Sequence, residues 1–217
     1  MEPTKMRILC LHGKFQNGSA FANKIGGAKR KLSRVYDLHF LDGPIPLEDE
    51  NENNSNNPKA WWLKDEETGK HINIEEAFEY VKEITSGQTY DAILGFSQGG
   101  TLATGLAIGG VVPGVRAVVT AGSPFVQDVL DVAKHVADAT PMDDNEMNLY
   151  QKGFNMPKFH MAGETDQLIS VDSTKLLCEN GGNGQFVVHE KGHLFPTRAA
   201  LVNQVMEFLE ISLCDAK

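Results

Sequence analysis

Short apolar runs recur along the chain, and they predict β-strands. Most of them have few polar positions, which is typical of a parallel sheet that is covered on both faces. The runs span 6–11, 35–41, 90–96, 115–121, 158–162 and 185–189. The pattern therefore predicts a central sheet of buried strands.

Several segments between these runs are predicted to be helices, and in two of them the apolar residues recur at helical spacing. In segment 74–84 this spacing gives one apolar face, and Asn73 with Glu76 fits a capping box at its start. The other predicted helices span 19–32, 98–108, 126–136, 170–179 and the segment from Thr197 onward. Because strands and helices alternate, we expect a single α/β domain over residues 1–217, with helices on both faces of a mostly parallel sheet.

Two segments have no clear period. Segment 45–71 is predicted to be a surface loop, acidic and asparagine-rich over 48–57. Trp61 and Trp62 interrupt its polarity, and we expect them either to anchor the loop on the core or to line a pocket. Segment 137–155 is predicted to be a loop or a small cap over a site, so any cap is minimal.

Composition narrows the possible partners. The 217 residues are 41% hydrophobic and carry a formal net charge of −9 without a basic cluster. We therefore expect neither nucleic acid nor an anionic membrane surface as a partner. No apolar stretch is long enough for stable membrane insertion, and the first residues do not resemble a signal peptide. Three cysteines without a CxxC pair favour a reducing, cytoplasmic location.

The most informative motif follows the apolar run that ends at Phe96. Gly95-Phe96-Ser97-Gln98-Gly99 has the form Gly-x-Ser-x-Gly between a predicted strand and a predicted helix. This context is that of a nucleophile elbow, in which a sharp turn presents the serine hydroxyl above the sheet. On the motif alone, a glycine-rich turn with an ordinary serine remains an alternative.

A serine nucleophile needs a base and an orienting carboxylate. His193 follows the last predicted strand and Asp166 follows the one before it, so both belong to loops at the carboxyl edge of the sheet. Glu164 and Asp172 are competing carboxylates. The chain order Ser97, Asp166, His193 is the order of the α/β-hydrolase catalytic triad, which favours these three residues.

Two backbone N–H groups are expected to form the oxyanion hole. One belongs to Gln98, directly after the nucleophile, and the other to Lys14, in the loop after the first strand. His12 in that loop is expected to brace it through hydrogen bonds. The predicted apolar walls of a substrate pocket are Phe15, Trp61 or Trp62, Phe125, Leu168 and Leu194.

Several of these segments resemble the FSH family of serine hydrolases, a group of small α/β-hydrolases that includes ovarian-cancer-associated hydrolases. The resemblance rests on His12-Gly13-x-x-Gln16-Asn17-Gly18, Ala60-Trp61-Trp62, the elbow, Gly163-x-x-Asp166 and Gly192-His193. It implies the α/β-hydrolase fold, hydrolysis of carboxylic esters and in some members of thioesters, and no metal or other cofactor. By resemblance, Ser97, Asp166 and His193 match the catalytic positions.

Two features depart from that family's pattern. Lys14 stands where the family often has a large apolar residue, and its side chain can alter the pocket or attract an anionic group. The acidic run 48–57 resembles an insertion. Both departures affect the expected class of substrate rather than the expected hydrolysis reaction.

The resulting hypothesis is a serine carboxylesterase for short-to-medium acyl chains. An acyl-thioesterase or protein deacylase would use the same triad, and a slow or non-catalytic ligand receptor on a hydrolase scaffold is a third possibility. We expect a small-molecule ester or thioester as the partner, and the sequence leaves monomer and homodimer open.

Overall fold

A computed structural model describes residues 5–48, 57–140 and 147–214 of the chain. The strands are β1 (Met6–Leu11), β2 (Tyr36–Leu41), β3 (Ile45–Pro46), β4 (Lys59–Ala60), β5 (Leu63–Lys64), β6 (His71–Ile72), β7 (Ala92–Phe96), β8 (Ala117–Ala121), β9 (Lys158–Gly163) and β10 (Gly184–His189). The helices are α1 (Gly18–Lys24), α2 (Gly26–Leu32), α3 (Ile74–Thr85), α4 (Gln98–Ile108), α5 (Gln127–Ala139), α6 (Leu149–Asn155), α7 (Val171–Asn180) and α8 (Ala199–Cys214).

The six predicted strands form one sheet in the order β10-β9-β8-β7-β1-β2. Every pairing in it is parallel, so all six strands end at the same edge. Alternate side chains of β1 enter different cores: Leu9 and Leu11 pack with α3, α4 and α5, whereas Ile8 and Cys10 pack with α1, α2 and α8. The predicted parallel sheet with helices on both faces is confirmed.

Two local predictions about helices are wrong. The helix expected over 19–32 is two helices that meet at Ile25, just before the poor helix formers Gly26 and Gly27. The capping box at Asn73 does not form, because this residue has a left-handed φ of 66° and its side chain makes no capping hydrogen bond. Its amide instead donates to the carboxylate of Glu76 at 3.3 Å.

The described part of segment 45–71 is not a simple surface loop, which corrects the prediction. It contains two small antiparallel pairs, β3 with β4 and β5 with β6. Between these pairs, Trp61 and Trp62 are buried in the core that contains α3 and α4. Burial of two large indoles stabilises the segment against the sheet. Residues 49–56, which hold most of the acidic run, lie outside the described residues.

The described part of segment 137–155 packs away from the serine. Helix α6 lies against the C-terminal end of α4, where a Cβ placed on Gly153 would come within 2.2 Å of the carbonyl oxygen of Ala107. Ser97 precedes the opposite end of α4. The predicted alternative of a cap over the site therefore does not apply to 147–155, and residues 141–146 lie outside the described residues.

No helix in the described ranges combines the length and the apolar character that crossing a bilayer requires.

Candidate active site

Ser97 occupies a strained turn between β7 and α4. Its φ of 51° and ψ of −122° are unusual for a residue with a side chain. A Cβ on Gly95 would lie 2.4 Å from the carbonyl oxygen of Gly99, and one on Gly99 would lie 2.4 Å from that of Leu11. The turn can therefore pack between strand and helix only because both flanking positions are glycine.

His193 and Asp166 form a close pair at the carboxyl edge of the sheet. Nδ1 of His193 lies 2.7 Å from Oδ2 of Asp166. The other carboxylate oxygen accepts hydrogen bonds from the backbone N–H groups of Leu168 at 2.8 Å and Ile169 at 2.9 Å. Asp166 is thus the turn-forming aspartate common in such loops and also the partner of the histidine.

Only one ring nitrogen of His193 contacts Asp166, and Nε2 lies on the opposite side of the ring. An ionised carboxylate can only accept, so Nδ1 donates to it, and in the neutral imidazole Nε2 keeps its lone pair. The carboxylate side chain is 0% exposed and that of His193 is 16% exposed. Asp166 is therefore shielded from solvent behind an imidazole that remains accessible.

Neighbouring residues hold the imidazole beside the elbow. The ring of Phe96, which precedes Ser97, lies 4.8 Å from the His193 ring between centroids. Gly122, at the end of β8, has a φ of 55°, and a Cβ there would lie 3.1 Å from Nδ1 of His193. Ser97 and His193 line one cavity of about 540 Å³. The structure thus brings Ser97, Asp166 and His193 to one site.

The two predicted oxyanion-hole donors belong to segments next to Ser97, since Gln98 follows it in the chain and Lys14 lines the same cavity. A Cβ on Gly13 would lie 3.1 Å from Cβ of Ser97, so the loop after β1 passes directly beside the serine. Among the described residues, the backbone N–H groups of Lys14 and Gln98 have no hydrogen-bond partner. The N–H of Phe15 donates to the carbonyl of Lys59 at 3.0 Å and is already used.

His12 is fully buried and both of its ring nitrogens contact backbone groups. Nδ1 donates to the carbonyl of Gly13 at 2.8 Å, and Nε2 accepts from the N–H of Gly43 at 2.8 Å. Burial lowers the pKa of His12, which favours this neutral form. His12 therefore braces the loop, and neither nitrogen is available as a base for Ser97.

The two competing carboxylates, and two further histidines that a serine could use as a base, have other surroundings. Glu164 and Asp172 are exposed. His71 pairs with Asp128 at 2.8 Å on the surface. His160 is buried in β9, where desolvation lowers its pKa from 6.5 to about 3.

Six residues are candidate walls, with Trp61 and Trp62 as alternatives; three of the six line the cavity and three do not. Phe15, Leu168 and Leu194 line it. Trp61 and Trp62 do not, because both indoles are buried in the core, where Nε1 of Trp61 donates to the carbonyl of His12 at 2.8 Å. Phe125 packs against the same core, and its N–H donates to the hydroxyl of Ser173 at 3.0 Å. The prediction of these three residues as pocket walls is wrong.

Sequence reasoning missed a group of lining residues, most of them apolar. They are Gln16, Phe21, Lys24, Ile25, Phe96, Ile169 and Phe195. Phe21 and Ile25 are four residues apart, a spacing that on a helix equally predicts a core-facing stripe. Phe96 and Phe195 could have been predicted, because Phe96 precedes Ser97 and Phe195 lies two residues after His193.

No group of three or more His, Cys, Asp or Glu side chains in the described ranges is placed to hold a metal ion.

Comparisons with known proteins place the chain among hydrolases. The family described as "Serine hydrolase (FSH1)" matches residues 1–205. Esterase AGAP003155 of Anopheles gambiae is 28% identical, over 96% of this chain and 79% of its own length. Esterase OVCA2 of Xenopus tropicalis is 27% identical, over 94% of this chain and 92% of its own.

A solved structure supports the fold. The crystal structure of Arabidopsis thaliana SOBER1 superposes with a TM-score of 0.65 at 17% identity, covering 97% of this chain and 100% of that one. At this identity the likeness concerns the fold, which is of the α/β-hydrolase type.

Proposed function

Since the chain belongs to the serine hydrolase (FSH1) family, we propose that it is a carboxylesterase that cleaves esters of short-to-medium acyl chains through Ser97, His193 and Asp166. The observation that carries this proposal is the 2.7 Å pair of His193 and Asp166, whose imidazole lines the same cavity as Ser97. Membership of the family makes the chain a serine hydrolase. The triad, the acyl preference and the steps below are proposed.

The first step forms an acyl-enzyme. Oγ of Ser97 attacks the carbonyl carbon while Nε2 of His193 takes its proton. Asp166 holds the imidazole in the tautomer that this transfer needs and stabilises the imidazolium. His193 then returns the proton to the leaving-group oxygen as the carbon–oxygen bond breaks.

The backbone N–H groups of Gln98 and Lys14 would stabilise the negative charge that develops on the carbonyl oxygen. Their lack of partners among the described residues and their places beside Ser97 support this role. Such donors act because they are already oriented when the charge appears, and each one typically contributes about 10²–10³ in rate.

The second step clears the acyl group. Water attacks the acyl-enzyme, His193 takes a proton from that water, and the same proton then goes to Oγ of Ser97 as the carboxylic acid leaves. The apolar walls formed by Phe15, Leu168 and Leu194 suit an alkyl chain, and a volume of about 540 Å³ is within the range of small-molecule sites.

The test compares the wild type with Ser97→Ala on p-nitrophenyl esters of increasing chain length. We expect kcat/KM to fall by roughly 10⁴–10⁶ in the variant. Ser19→Ala is the matched control, because Ser19 is an exposed serine of helix α1 outside the cavity lining. Equal rates for Ser97→Ala and the wild type would refute the proposal.

Two further measurements separate the alternatives. Multiple turnovers on esters, together with fluorophosphonate labelling mapped to Ser97 by mass spectrometry, would exclude a ligand receptor as the main role. Comparing acyl-CoA with an oxygen ester of the same acyl chain decides between thioester and ester hydrolysis, because the same residues can perform both.

We also propose a reducing compartment such as the cytoplasm as the location of the protein. Its three cysteines, Cys10, Cys178 and Cys214, are all free thiols, which supports this proposal. Fractionation of cells that express the tagged protein tests it, and recovery with secreted proteins would contradict it.

A further inference from the structure

Two lysines lie in the wall of the cavity that contains Ser97. Among the described residues, those lining this cavity include Lys14 and Lys24 and no acidic side chain. The chain as a whole has a net charge of −9. The wall is therefore locally basic on a protein that is acidic overall.

The position of Lys24 follows from the helix that carries it. Phe21, Lys24 and Ile25 are spaced three and four residues apart and share one face at the end of α1. All three line the cavity, with Phe21 and Ile25 buried and Lys24 exposed. The apolar pair thus forms wall surface while Lys24 presents a charge beside it.

Lys14 places a second charge on the wall. Its ammonium nitrogen lies 5.1 Å from the ring centroid of Phe15, another wall residue. Neither lysine has an ion-pair partner in the described part of the chain. The carboxylate of Asp166 is hydrogen-bonded to His193 and does not line the cavity, and it forms no salt bridge with either lysine.

We propose that the substrate is an ester or thioester that carries an anionic group, a carboxylate or a phosphate, which Lys14 and Lys24 attract. This inference rests on the proposed function of the same site and names its substrate class. Two cations without an ion-pair partner among the described residues favour an anion in this cavity, whereas the net charge of the whole protein would repel it. The apolar walls would hold the remainder of the substrate.

The expected size of the effect follows from the exposure of both lysines. Ion pairs between exposed groups contribute little because water and salt screen them. Each lysine should therefore change the preference for an anionic substrate by about two- to fivefold.

The experiment measures a preference ratio, defined as kcat/KM for an anionic ester divided by kcat/KM for its neutral counterpart. One pair is p-nitrophenyl hemiadipate with p-nitrophenyl hexanoate, which places the anion on the acyl side. The second pair is 3-carboxy-4-nitrophenyl hexanoate with p-nitrophenyl hexanoate, which places the anion on the leaving group. The proteins are the wild type, Lys14→Met, Lys24→Met, Lys24→Glu and the control Lys134→Met.

Lys134 is the matched control because it is an exposed helical lysine of α5 outside the cavity lining. We expect Lys14→Met and Lys24→Met each to lower the ratio about two- to fivefold for at least one pair, and Lys24→Glu to lower it further. The pair that responds identifies the side of the substrate that carries the anion. Ratios equal to the wild-type value in all three cavity variants, or an equal loss in Lys134→Met, would overturn the inference.

Failure of the anionic-substrate proposal can be distinguished from failure of the proposed esterase function. If Ser97→Ala abolishes hydrolysis of p-nitrophenyl hexanoate while the lysine variants keep the wild-type ratio, the esterase proposal stands and the anionic substrate does not. If Ser97→Ala retains full activity on that neutral ester, both are overturned.

Discussion

The backbone N–H of Trp61 donates to Oε1 of Gln98, the residue that follows Ser97, at 2.9 Å. The amide nitrogen of the same side chain donates to the carbonyl of Trp62 at 2.8 Å. Trp61 in turn donates through its indole nitrogen to the carbonyl of His12 at 2.8 Å. The tryptophan pair therefore joins the elbow to the loop after β1, which are the two segments that carry the proposed oxyanion-hole donors.

Gln98→Met should destabilise the protein and slow catalysis. Methionine has a similar shape but leaves the buried N–H of Trp61 and the carbonyl of Trp62 without partners, at a cost of about 1–3 kcal/mol each. We expect a lower free energy of unfolding in urea and a fall in kcat larger than the change in KM, because the donors lose their alignment. A variant with wild-type stability and kcat would show that these hydrogen bonds do not position the site.

Asp166→Asn should lower kcat by about 10⁴-fold with little loss of stability. The amide oxygen can still accept from the N–H groups of Leu168 and Ile169, but its NH₂ group faces Nδ1 of His193 and favours the tautomer that cannot take the serine proton. Ester hydrolysis measures the expected fall in kcat, and urea unfolding measures the change in stability. Asp172→Asn, on the exposed first turn of α7, is the control, and a comparable loss in it would argue against the assignment.

Gly122→Ala should reduce activity by roughly 10- to 100-fold. The new methyl group would lie 3.1 Å from Nδ1 of His193 and 3.4 Å from Oδ2 of Asp166, so the pair must shift. Gly87→Ala separates this effect from backbone strain, because Gly87 has a φ of 72° with nothing within 4 Å of the added Cβ. Both variants should lose about 1–2 kcal/mol of stability because alanine is strained at a positive φ, but only Gly122→Ala should lose activity. An active Gly122→Ala would contradict the close fit.

His160→Gln should weaken the dependence of stability on acid pH. Burial lowers the pKa of His160 from 6.5 to about 3, so between these values the unfolded chain binds a proton that the folded protein does not. The free energy of unfolding therefore falls as the pH falls through this window, by up to about 1.4 kcal/mol per pH unit for one histidine.

Urea unfolding between pH 7 and pH 4 measures this slope. We expect a shallower slope for His160→Gln and the wild-type slope for His135→Gln, a change at an exposed position of α5. A remaining slope is expected in both, since burial also lowers the pKa of His12 and His189. Identical slopes for His160→Gln and the wild type would exclude His160 as a contributor.

Much of the fold and several residues of the candidate site could be predicted because they depend on local features. The strand runs are apolar wherever the sheet is covered on both faces, and the elbow needs glycine at positions 95 and 99 for reasons of contact alone. Asp166 and His193 could be proposed because parallel strands all end at one edge. The wall of the cavity could not, since Phe21 and Ile25 have the same spacing as a core-facing stripe.

Trp61 and Trp62 show most directly what could not be predicted from the sequence. An indole that lines a pocket and one that is buried in the core have the same local sequence, and only the distance to Gln98 and His12 decides between them. That distance depends on how segment 57–72 packs against the sheet.

The sequence by itself determined the α/β architecture, the serine elbow and the order of the three catalytic candidates. These features depend on residues that are close together in the chain, such as the glycines of a tight turn and the apolar residues of a buried strand. Only the tertiary structure decided that Asp166 and His193 meet at 2.7 Å, that His12 is engaged by backbone groups and that Lys14 and Lys24 share one cavity wall. These relationships join residues distant in the chain, and they arise from packing between elements rather than from the properties of any one segment.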